Sequence, residues 1–459
     1  MLLLIYLSLF FFLLLNFFLN RIYINLYKIL NIIIYFIILW LFIILNLINP
    51  IFFSKLIFIN SINYSLIYLS LFIIIICNII NNINFIFIKE YYIIINCIFI
   101  ILIFLLNTSN ILIFFIFFEF LLLPFLFLLI IYGSKFLRFS AGYFFFFLTF
   151  ISGVLMLIAI FNIYLICGSL DFYFLLFIKI PTKYQYIFFF CFMLSFLNKL
   201  AIFPFHIWLP LAHSESPIVG TFLLAGIMLK IGGYAIYKFI IFHLDLIIFY
   251  YFPFLIILSI ICFYSGVINT LIQIDLKKFI AYASISHMGF FYLSILTCSI
   301  YSFVGSFLLL ISHAFTSIGL FYISYILYIR THTRIINYYS LIMSISPLFC
   351  FFFTIFILSN VCFPLSFNFI CEFYVILGIS LESIIVLFSV IIGIWLTAFY
   401  SFKLYCSILY SLSPFSFIFR DITILEFIIL LSLFFFIIFL GISPNTIIQF
   451  IINSIYVFF

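Results

Sequence analysis

Four ionisable residues stand inside long apolar stretches of the sequence. Glu119 lies in IFFEFLLLP, Lys199 in SFLNKLAIFPF, Lys230 in LLAGIMLKIGGY and Glu372 in FNFICEFYVILG. A charged side chain at the centre of a bilayer costs roughly 2.5–3.5 kcal/mol on insertion scales. Two acids and two bases offset part of this cost by pairing, either as fixed packing contacts or as proton carriers. We interpret them as a proton path, because moving or neutralising the carboxylate beside a buried lysine makes that lysine release or take up a proton.

Three histidines within apolar segments extend this proton path. His206 stands in the interrupted stretch IFPFHIWL, His287 in AYASISHMGF and His313 in LLISHAFTSIG. Helical spacing places serine or threonine on the same face as His287 and His313, so water could line those faces. Histidine titrates near neutrality and relays protons, although a packed, hydrogen-bonded histidine is the alternative for each. The remaining histidines are predicted to be structural or loop residues: His213, His243 and His332.

The elements that position these residues are predicted to be membrane-spanning helices. The chain has 459 residues, of which 70% are hydrophobic and 6% charged, whereas soluble domains have about 25% charged residues. A spanning helix needs about 20 residues, and the continuous apolar segments lack the alternation of a β-barrel. The sequence therefore predicts an all-α polytopic membrane protein with about fourteen spans, near 1–19, 29–49, 62–80, 90–106, 111–132, 140–166, 185–210, 217–240, 246–271, 279–298, 301–329, 343–378, 382–410 and 425–450.

The charges of the loops predict the orientation of these spans. Ten lysines and arginines fall after odd-numbered spans and four after even-numbered spans. The positive-inside rule places the odd-numbered loops on the matrix or cytoplasmic side. The net charge of +7 therefore indicates the orientation of the membrane spans and does not indicate nucleic-acid binding. The first residues lack a basic region and a cleavage site, so they are predicted to form a retained span and not a signal peptide.

Proline interrupts two of the predicted spans at matching places. Phe203-Pro204 lies in SFLNKLAIFPFHIWL, and Phe363-Pro364 lies in FILSNVCFPLSFNFI. Proline removes a helical hydrogen bond, and in lipid the freed backbone groups are tolerated only where protein or water covers them. Paired interruptions are typical of transporters with inverted repeats. We predict discontinuous helices in two inverted five-helix repeats, at 90–240 and 246–410, with N-terminal helices in 1–110 and a C-terminal helix in 411–459.

Redox centres are not indicated by the cysteines or histidines. The ten cysteines include no C-x-x-C pair, whereas iron–sulfur ligation uses clustered thiolates, and no metal site is predicted. A bis-histidine haem site needs paired histidines facing each other across helices, and the mid-span histidines occur once per helix. A haem-bearing electron-transfer protein is therefore disfavoured. A purely structural membrane scaffold is also disfavoured, because it would not need lysine and glutamate at mid-membrane.

Several motifs occur together in one order: NKLAIFPFHIWLPLAHSESP (198–217), QIDLKKFIAYASISHMG (273–289) and SHAFTSIGLFYISYILYIRTHTR (312–334). This order resembles the chain 4 family of NADH:ubiquinone oxidoreductase, the antiporter-like, proton-pumping membrane subunits of respiratory complex I. The resemblance covers roughly residues 115–400. Glutamate at position 372, with AHSESP, favours the chain 4 type over chains 2 and 5. The resemblance implies that protons are translocated by Glu119, Lys199, Lys230, Glu372, His206, His287 and His313.

The resemblance also implies the surroundings of the chain. This chain would hold no cofactor, whereas NADH, FMN, iron–sulfur clusters and ubiquinone would belong to other subunits of the complex. Its partners would be other membrane-arm subunits, especially the neighbouring chains 2 and 5, and membrane lipids. The abundance of Phe, Tyr, Ile and Asn, which AT-rich codons encode, favours an organelle gene and the mitochondrial inner membrane over a bacterial plasma membrane. The alternative function is that of a subunit of a multi-subunit cation/proton antiporter.

Overall fold

The secondary structure of the chain is almost entirely helical. The computed structural model describes residues 24–48, 52–53, 58–59, 61–80, 88–133, 137–178, 180–241, 245–297, 299–339, 342–411 and 420–455. Within these ranges, extended structure is limited to isolated bridges and one antiparallel pair of two-residue strands, Phe52–Phe53 (β1) and Phe58–Ile59 (β2). The predicted all-α class is confirmed.

Twenty α-helices follow one another in the described part of the chain. Helices α1 to α9 are Ile24–Ile48, Ser61–Ile79, Ile88–Asn107, Ile111–Phe120, Leu122–Tyr132, Arg138–Cys167, Phe172–Phe177, Thr182–Lys199 and Trp208–Glu215. Helices α10 to α20 are Ile218–Leu223, Leu229–Ile236, Asp245–Ile272, Leu276–Leu296, Ile300–Thr331, Ile342–Ile345, Pro347–Asn360, Phe367–Glu382, Ile384–Leu409, Ile424–Ile442 and Asn445–Ile455. Two π-helical turns, Leu224–Met228 and Tyr237–Ile241, lie on either side of α11.

The predicted spans agree with these helices over the described residues. Among the described residues, ten continuous helical segments are long and apolar enough to cross a membrane. Helix α1 and the two interrupted spans account for the remaining predicted spans after the first. The span predicted at 1–19 lies outside the described residues. The predicted last span, 425–450, is wrong at its end, because α19 stops at Ile442 and α20 starts at Asn445. Pro444 separates them, since proline disfavours a helical conformation in the residue before it.

The loops after the odd-numbered spans meet at one end of the bundle, which we call the odd end. A guanidinium nitrogen of Arg334 donates to the backbone carbonyl of Ser214 at 2.6 Å. The ammonium group of Lys277 donates to the carbonyl of Ser216 at 3.0 Å. These bonds join the loops after spans seven, nine and eleven. Lys277 and Arg334, basic residues of two odd-numbered loops, thus lie at the same end of the bundle.

The loops after the even-numbered spans meet at the opposite end, the even end. Asn110 and Asp171 form a bridge between the loops after spans four and six. Lys238, at the end of span eight, donates to the carbonyl of Thr108. Lys238 is one of the four lysines predicted to lie in even-numbered loops, the others being Lys55, Lys179 and Lys183. Its ammonium group is instead 4.4 Å from the centre of the Phe172 ring. The even end is therefore closed partly by a lysine packed among aromatic rings.

The two interrupted spans run in opposite directions. Helices α8 and α9 lead from the even end to Ser214 at the odd end. Helix α16 begins at the odd end, where the backbone N–H groups of Leu348 and Phe349 donate to the Asp421 carboxylate at 3.1 and 3.0 Å. Helix α17 ends at the even end, where Gly378 packs on Ser302. The predicted interruptions are confirmed, whereas the boundaries of the two repeats, 90–240 and 246–410, stay a prediction.

Burial divides the helices into an inner and an outer set. The segments Ile218–Phe239 and Ile300–Thr331 are buried throughout their apolar windows, and Leu276–Leu296 is buried over 94% of its window. The outer helices α18 and α19 are buried over only 28% of theirs. Outer helices of this composition face lipid or neighbouring chains, because apolar side chains are stable there. Lys230, His287 and His313 therefore lie on the innermost helices.

Helices α12 and α13 cross closely because glycines stand at their contact. A Cβ atom on Gly266 would lie 2.6 Å from the backbone nitrogen of Ser286, and a Cβ atom on Gly289 would lie 2.6 Å from the backbone nitrogen of Phe263. Small residues allow close backbone contact between membrane helices. These two glycines fix the position of α13, and with it that of His287.

Replacing Gly266 by valine is expected to destabilise the packing of α12 on α13, because the obstructing atoms belong to the backbone and cannot rotate away. Overpacking of this kind costs roughly 1–3 kcal/mol. Thermal denaturation of the detergent-purified protein would measure the change. Ile261→Val on the same helix is the control, since Ile261 is 45% exposed. Equal denaturation temperatures for the two variants would contradict the prediction.

Candidate functional site

The first break in the bundle places Lys199 at a helix end. Helix α8 ends at Lys199, and Ala201 follows with a left-handed φ of 56°. The Phe203-Pro204 peptide is cis. The helix resumes at Trp208, whose indole nitrogen donates to the carbonyl of Asn198 at 3.0 Å. The break therefore places Lys199 in the last turn of a helix, where a cation interacts favourably with the free carbonyl groups.

Glu119 and Lys199 form a buried ion pair. The Lys199 Nζ atom lies 4.0 Å from Glu119 Oε1, and the two side chains are 4% and 18% exposed. The same ammonium group donates to the carbonyl of Phe118 and stands 3.1 Å from the centre of the Phe118 ring. Unit charges at this distance attract by about 4 kcal/mol at an effective dielectric constant of about 20. Small movements of the Glu119 carboxylate therefore substantially change its electrostatic attraction for the Lys199 ammonium group.

Helix α6 forms the wall behind this pair. A Cβ atom on Gly153 would lie 2.6 Å from the Cδ and Oε1 atoms of Glu119. The preceding residue, Ser152, accepts a hydrogen bond from the Asn198 amide at 2.9 Å. The absence of a side chain at Gly153 thus leaves the space that the carboxylate occupies. Ser152 ties the end of α8 to the same wall, so Glu119 and Lys199 are positioned by adjacent residues of α6.

Lys230 is paired with a histidine. The π-helical turn Leu224–Met228 comes just before it, and its ammonium group donates to the Ala225 carbonyl at 2.6 Å. Lys230 Nζ also lies 2.9 Å from His313 Nδ1. π-helical turns disturb the regular backbone hydrogen bonds and often occur at functional sites. When Lys230 is charged, its N–H donates to Nδ1, so neutral His313 carries its proton on Nε2.

His313, His287 and Glu372 continue from Lys230. The ring centres of His313 and His287 are 5.3 Å apart. His287 Nε2 lies 3.1 Å from the Asn360 amide oxygen, and His287 Nδ1 lies 4.0 Å from Glu372 Oε1. An amide oxygen only accepts, so Nε2 of His287 carries a proton. A second proton would bind at Nδ1, on the side that faces Glu372.

The central line, as we call Lys230, His313, His287 and Glu372, draws each member from a different helix. These helices are α11, α14, α13 and α17. Each neighbouring pair is joined by a contact of 5.3 Å or less. Protonatable groups at such separations exchange protons directly or through one water molecule. The structure thus brings together four of the seven predicted site residues in one series.

The ion pair and the central line are neighbours without a direct side-chain contact between Lys199 and Lys230 in the described chain. Helix α11 crosses the break in α8 at Gly232, where a Cβ atom would lie 3.1 Å from the Leu200 backbone nitrogen and 3.3 Å from the Lys199 carbonyl carbon. A small cavity beside Lys230, lined also by Ser70, has space for about one water molecule. The two groups are therefore linked by close backbone packing.

His206 lies apart from the central line. Its ring stands against Phe203, with ring centres 5.6 Å apart, and against Tyr282 at 6.5 Å. Its Nδ1 atom is buried and meets no hydrogen-bond partner in the described chain. His206 thus belongs to the wall of the first break. Its predicted part in proton transfer stays a prediction.

Asn360 is a site residue that sequence reasoning missed. It is the last residue of α16 before the second break, as Lys199 is the last residue of α8 before the first. Cys362 and Leu365 then adopt left-handed φ angles of 60° and 76°. Comparing the two Phe-Pro stretches would have drawn attention to SN in SNVCFP, since it occupies the place of KL in NKLAIFP. The second break therefore presents an amide to His287.

The direct contact of His287 with His313 bears on the haem alternative. In a bis-histidine site the haem lies between its two imidazole ligands. The rings of His287 and His313 instead contact each other, and each ring also contacts another side chain, so this pair does not have the arrangement of haem ligands. The described residues contain no group of three or more His, Cys, Asp or Glu that could hold a metal ion. The prediction that this chain carries no cofactor stays a prediction.

Sequence comparisons identify relatives of the chain. A family model described as "NADH:quinone oxidoreductase/Mrp antiporter, TM" matches residues 108–399. NADH-ubiquinone oxidoreductase chain 4 of Metridium senile is 37% identical over 334 residues, 72% of this chain and 68% of that protein. The protein of the same name from Chondrus crispus is 38% identical over 327 residues, 71% and 66% of the two chains. The matched segments thus span about two thirds of these relatives.

Structural comparisons identify the same fold in larger assemblies. A chain of respiratory complex I from Thermus thermophilus with bound NADH matches with a TM-score of 0.86 and 21% identity, covering 97% of both chains. A chain of the Mrp complex from Dietzia sp. DQ12-45-1b matches with a TM-score of 0.85 and 15% identity, covering 97% of this chain and 95% of the other. At these identities the matches establish the fold alone.

Proposed function

We propose that this chain, which belongs to the NADH:quinone oxidoreductase/Mrp antiporter transmembrane family, is the chain 4 subunit of NADH:ubiquinone oxidoreductase and translocates protons. The observation that carries the proposal is the central line, in which Lys230, His313, His287 and Glu372 follow one another through the buried core. Ionisable residues at membrane depth are expensive and mark proton pathways. Electron transfer from NADH to ubiquinone in other subunits would supply the driving force.

The mechanism begins at the ion pair. A change of charge elsewhere in the complex displaces or neutralises Glu119, and Lys199 then loses most of the attraction that favours its ammonium form. The Lys199 ammonium group releases its proton through water to the Lys230 amine, which becomes free to accept it by giving its own proton to His313. The Lys230 ammonium group passes a proton to Nδ1 of His313. The C-terminal position of Lys199 in α8 favours its recharging when Glu119 returns.

The proton then crosses from His313 to Glu372. It moves from the His313 ring to the adjacent His287 ring, and from Nδ1 of His287 to the Glu372 carboxylate, 4.0 Å away. Asn360 holds Nε2 of His287 and so keeps Nδ1 directed at the carboxylate. Glu372 releases the proton to one side of the membrane. Lys199 takes a proton from water when Glu119 returns, and tautomer exchange moves the remaining His313 proton back to Nε2. Each carrier has then regained its starting state, so one cycle moves one proton along the line.

The partners and location of the chain follow from this function. We place it in the mitochondrial inner membrane, as a multi-pass subunit beside the antiporter-like chains 2 and 5, in contact with lipids. NADH, FMN, iron–sulfur clusters and ubiquinone would be bound by other subunits. Glu119 is more exposed than Lys199 and lies behind the outer helix α6. Its carboxylate oxygens are buried, so a neighbouring chain on this flank would act on Glu119 through α6.

A second candidate function is a subunit of a multi-subunit cation/proton antiporter. The family description names Mrp antiporters, and the Mrp complex from Dietzia contains a chain of this fold. The central line would serve proton transport in either assembly. The relatives with 37% and 38% identity are complex I chains, whereas the Mrp chain is 15% identical, so the first function is better supported.

Native electrophoresis of gently solubilised membranes separates these functions. We expect the chain to migrate at very high mass together with NADH dehydrogenase activity, because a complex I subunit is held by its partners. Mass spectrometry of the active band would identify it. A small assembly without NADH activity, but with sodium-dependent proton exchange after reconstitution, would favour the antiporter.

A further inference from the structure

Packed phenylalanine rings fill the space between Lys199 and the even end, and we call them the aromatic column. Helices α4 and α8 both begin at the even end, and each contributes two of these rings. The ring centre of Phe118, which Lys199 contacts, lies 5.9 Å from that of Phe196 and 5.5 Å from that of Phe114. The ring centre of Phe239 lies 4.6–5.4 Å from those of its neighbours. The column consists of Phe118, Phe196, Phe114, Phe192, Phe239 and Phe172, each at most 6% exposed.

Lys238 caps this column at the even end. Its ammonium group lies 4.4 Å from the ring centre of Phe172, 5.3 Å from that of Phe114 and 5.5 Å from that of Tyr234, and it donates to the Thr108 carbonyl. A lysine near a membrane surface usually extends its ammonium group into water. This one instead faces aromatic rings, which attract a cation. None of the ion pairs among the described residues includes Lys238, so no carboxylate in contact offsets its charge.

The surroundings of the column offer water no polar side chain. A cavity beside Phe192 and Phe239 has space for about one water molecule. Its lining side chains are all apolar, and cavities of this kind stay dry because water needs polar partners. The cavity beside Lys230 differs, since it is lined by an ammonium group and by the Ser70 hydroxyl. A chain of water molecules that could carry a proton is therefore disfavoured between Lys199 and the even end.

We propose that Lys238 and the aromatic column form a seal that keeps protons and other cations from entering at the even end and reaching Lys199, an inference that rests on the proposed function. The phenylalanine rings exclude water from the path, as apolar constrictions do in channels. The ammonium group repels cations at the entrance, since fixed positive charges in membrane pores exclude protons and cations. Protons released at the even side would thus be unable to return to Lys199 while Glu119 is displaced.

Passive proton flux through the assembled complex tests the seal. The purified complex would be reconstituted in liposomes, and the decay of an imposed pH gradient followed with a trapped pH-sensitive dye in the absence of NADH. We expect Lys238→Glu to speed the decay by about tenfold or more, because one sign of charge in a narrow cleft changes the local ion concentration by about 10–10³-fold. Lys183→Glu is the matched control, since it reverses the charge of an exposed lysine at the same end. Phe239→Ser should also speed the decay by giving water a polar partner, whereas Phe239→Leu should not.

Lys238→Arg separates a seal from a proton carrier. Arginine keeps the positive charge but does not release its proton, so slow passive decay and normal NADH-driven pumping are expected. Loss of pumping in this variant would overturn the seal and assign Lys238 to proton transfer. Decay in Lys238→Glu no faster than in Lys183→Glu would also overturn it, even if the unchanged complex pumps protons. Fast decay in Lys238→Glu without NADH-driven pumping by the unchanged complex would contradict the proposed function and support the seal. If Lys238→Glu fails to assemble, Phe239→Ser compared with Phe239→Leu decides in the same way.

Discussion

Proton translocation is expected to fall by about 100-fold or more when Lys199 is replaced by alanine in a fully assembled complex. The substitution removes the only cation that is shown in contact with Glu119 among the described residues. It leaves the Phe118 carbonyl without its ammonium donor, but it does not remove a membrane span. Sealed vesicles supplied with NADH and a ubiquinone analogue would report protons translocated per NADH oxidised. Glu119→Gln should act in the same direction, because it removes the charge that holds Lys199.

Two further variants separate proton carriage from simple charge at this position. Lys199→Arg keeps a cation, but arginine does not release its proton, so pumping should remain lost. A structural ion pair would instead be restored by arginine. Lys183→Ala is the matched control, because Lys183 lies in the first turn of the same helix and is exposed. Unchanged pumping by Lys199→Ala in an intact complex would refute the assignment.

A single methyl group at Gly153 is expected to disable the ion pair. A Cβ atom there would lie 2.6 Å from Glu119 Oε1, and the carboxylate is the end of a flexible side chain. The carboxylate should therefore rotate away while the helices stay in place. A loss of about 1.4 kcal/mol of the attraction between Glu119 and Lys199 corresponds to about a tenfold change in an equilibrium constant. Gly153→Ala should therefore lower proton pumping by at least about tenfold. Proton translocation and complex assembly would be measured together.

Gly142→Ala is the control for this prediction, because it makes the same change on the same helix. Its new Cβ atom would meet only aliphatic atoms of Ile130 and Leu129, the nearest at 3.1 Å. Assembly should be normal in both variants, and only Gly153→Ala should pump poorly. Equal pumping by both would show that Glu119 works without this space. Poor assembly of both would instead indicate that α6 tolerates no added volume.

The spans and the breaks could be predicted because both depend on local sequence. Continuous apolar stretches of the required length identify spanning helices wherever lipid surrounds them. Phe203-Pro204 and Phe363-Pro364 identify the breaks, because proline has no backbone donor. The end of α19 was missed although Pro444 provides the same signal. Its surroundings are apolar enough that hydropathy alone continues the span.

The partners of the charged residues could not be predicted, since they depend on packing between distant helices. The sequence suggested that acids would offset bases, and this is correct for Glu119 and Lys199. Lys230, however, contacts His313, which lies 83 residues away. The π-helical turn at Leu224–Met228 rotates the start of α11, and no residue type in LAGIM predicts such a turn. Asn360 was likewise overlooked because an amide carries no charge.

The arrangement of the central line has an electrical consequence. His287 and His313 stand near the middles of α13 and α14, so transfer between them runs roughly parallel to the membrane plane. Moving one charge through a membrane potential of 100 mV takes about 2.3 kcal/mol, but lateral movement at constant depth performs almost none of this work. The voltage therefore acts on the two steps perpendicular to the membrane, uptake and release. A proton can travel far along the line while the membrane potential hardly affects it.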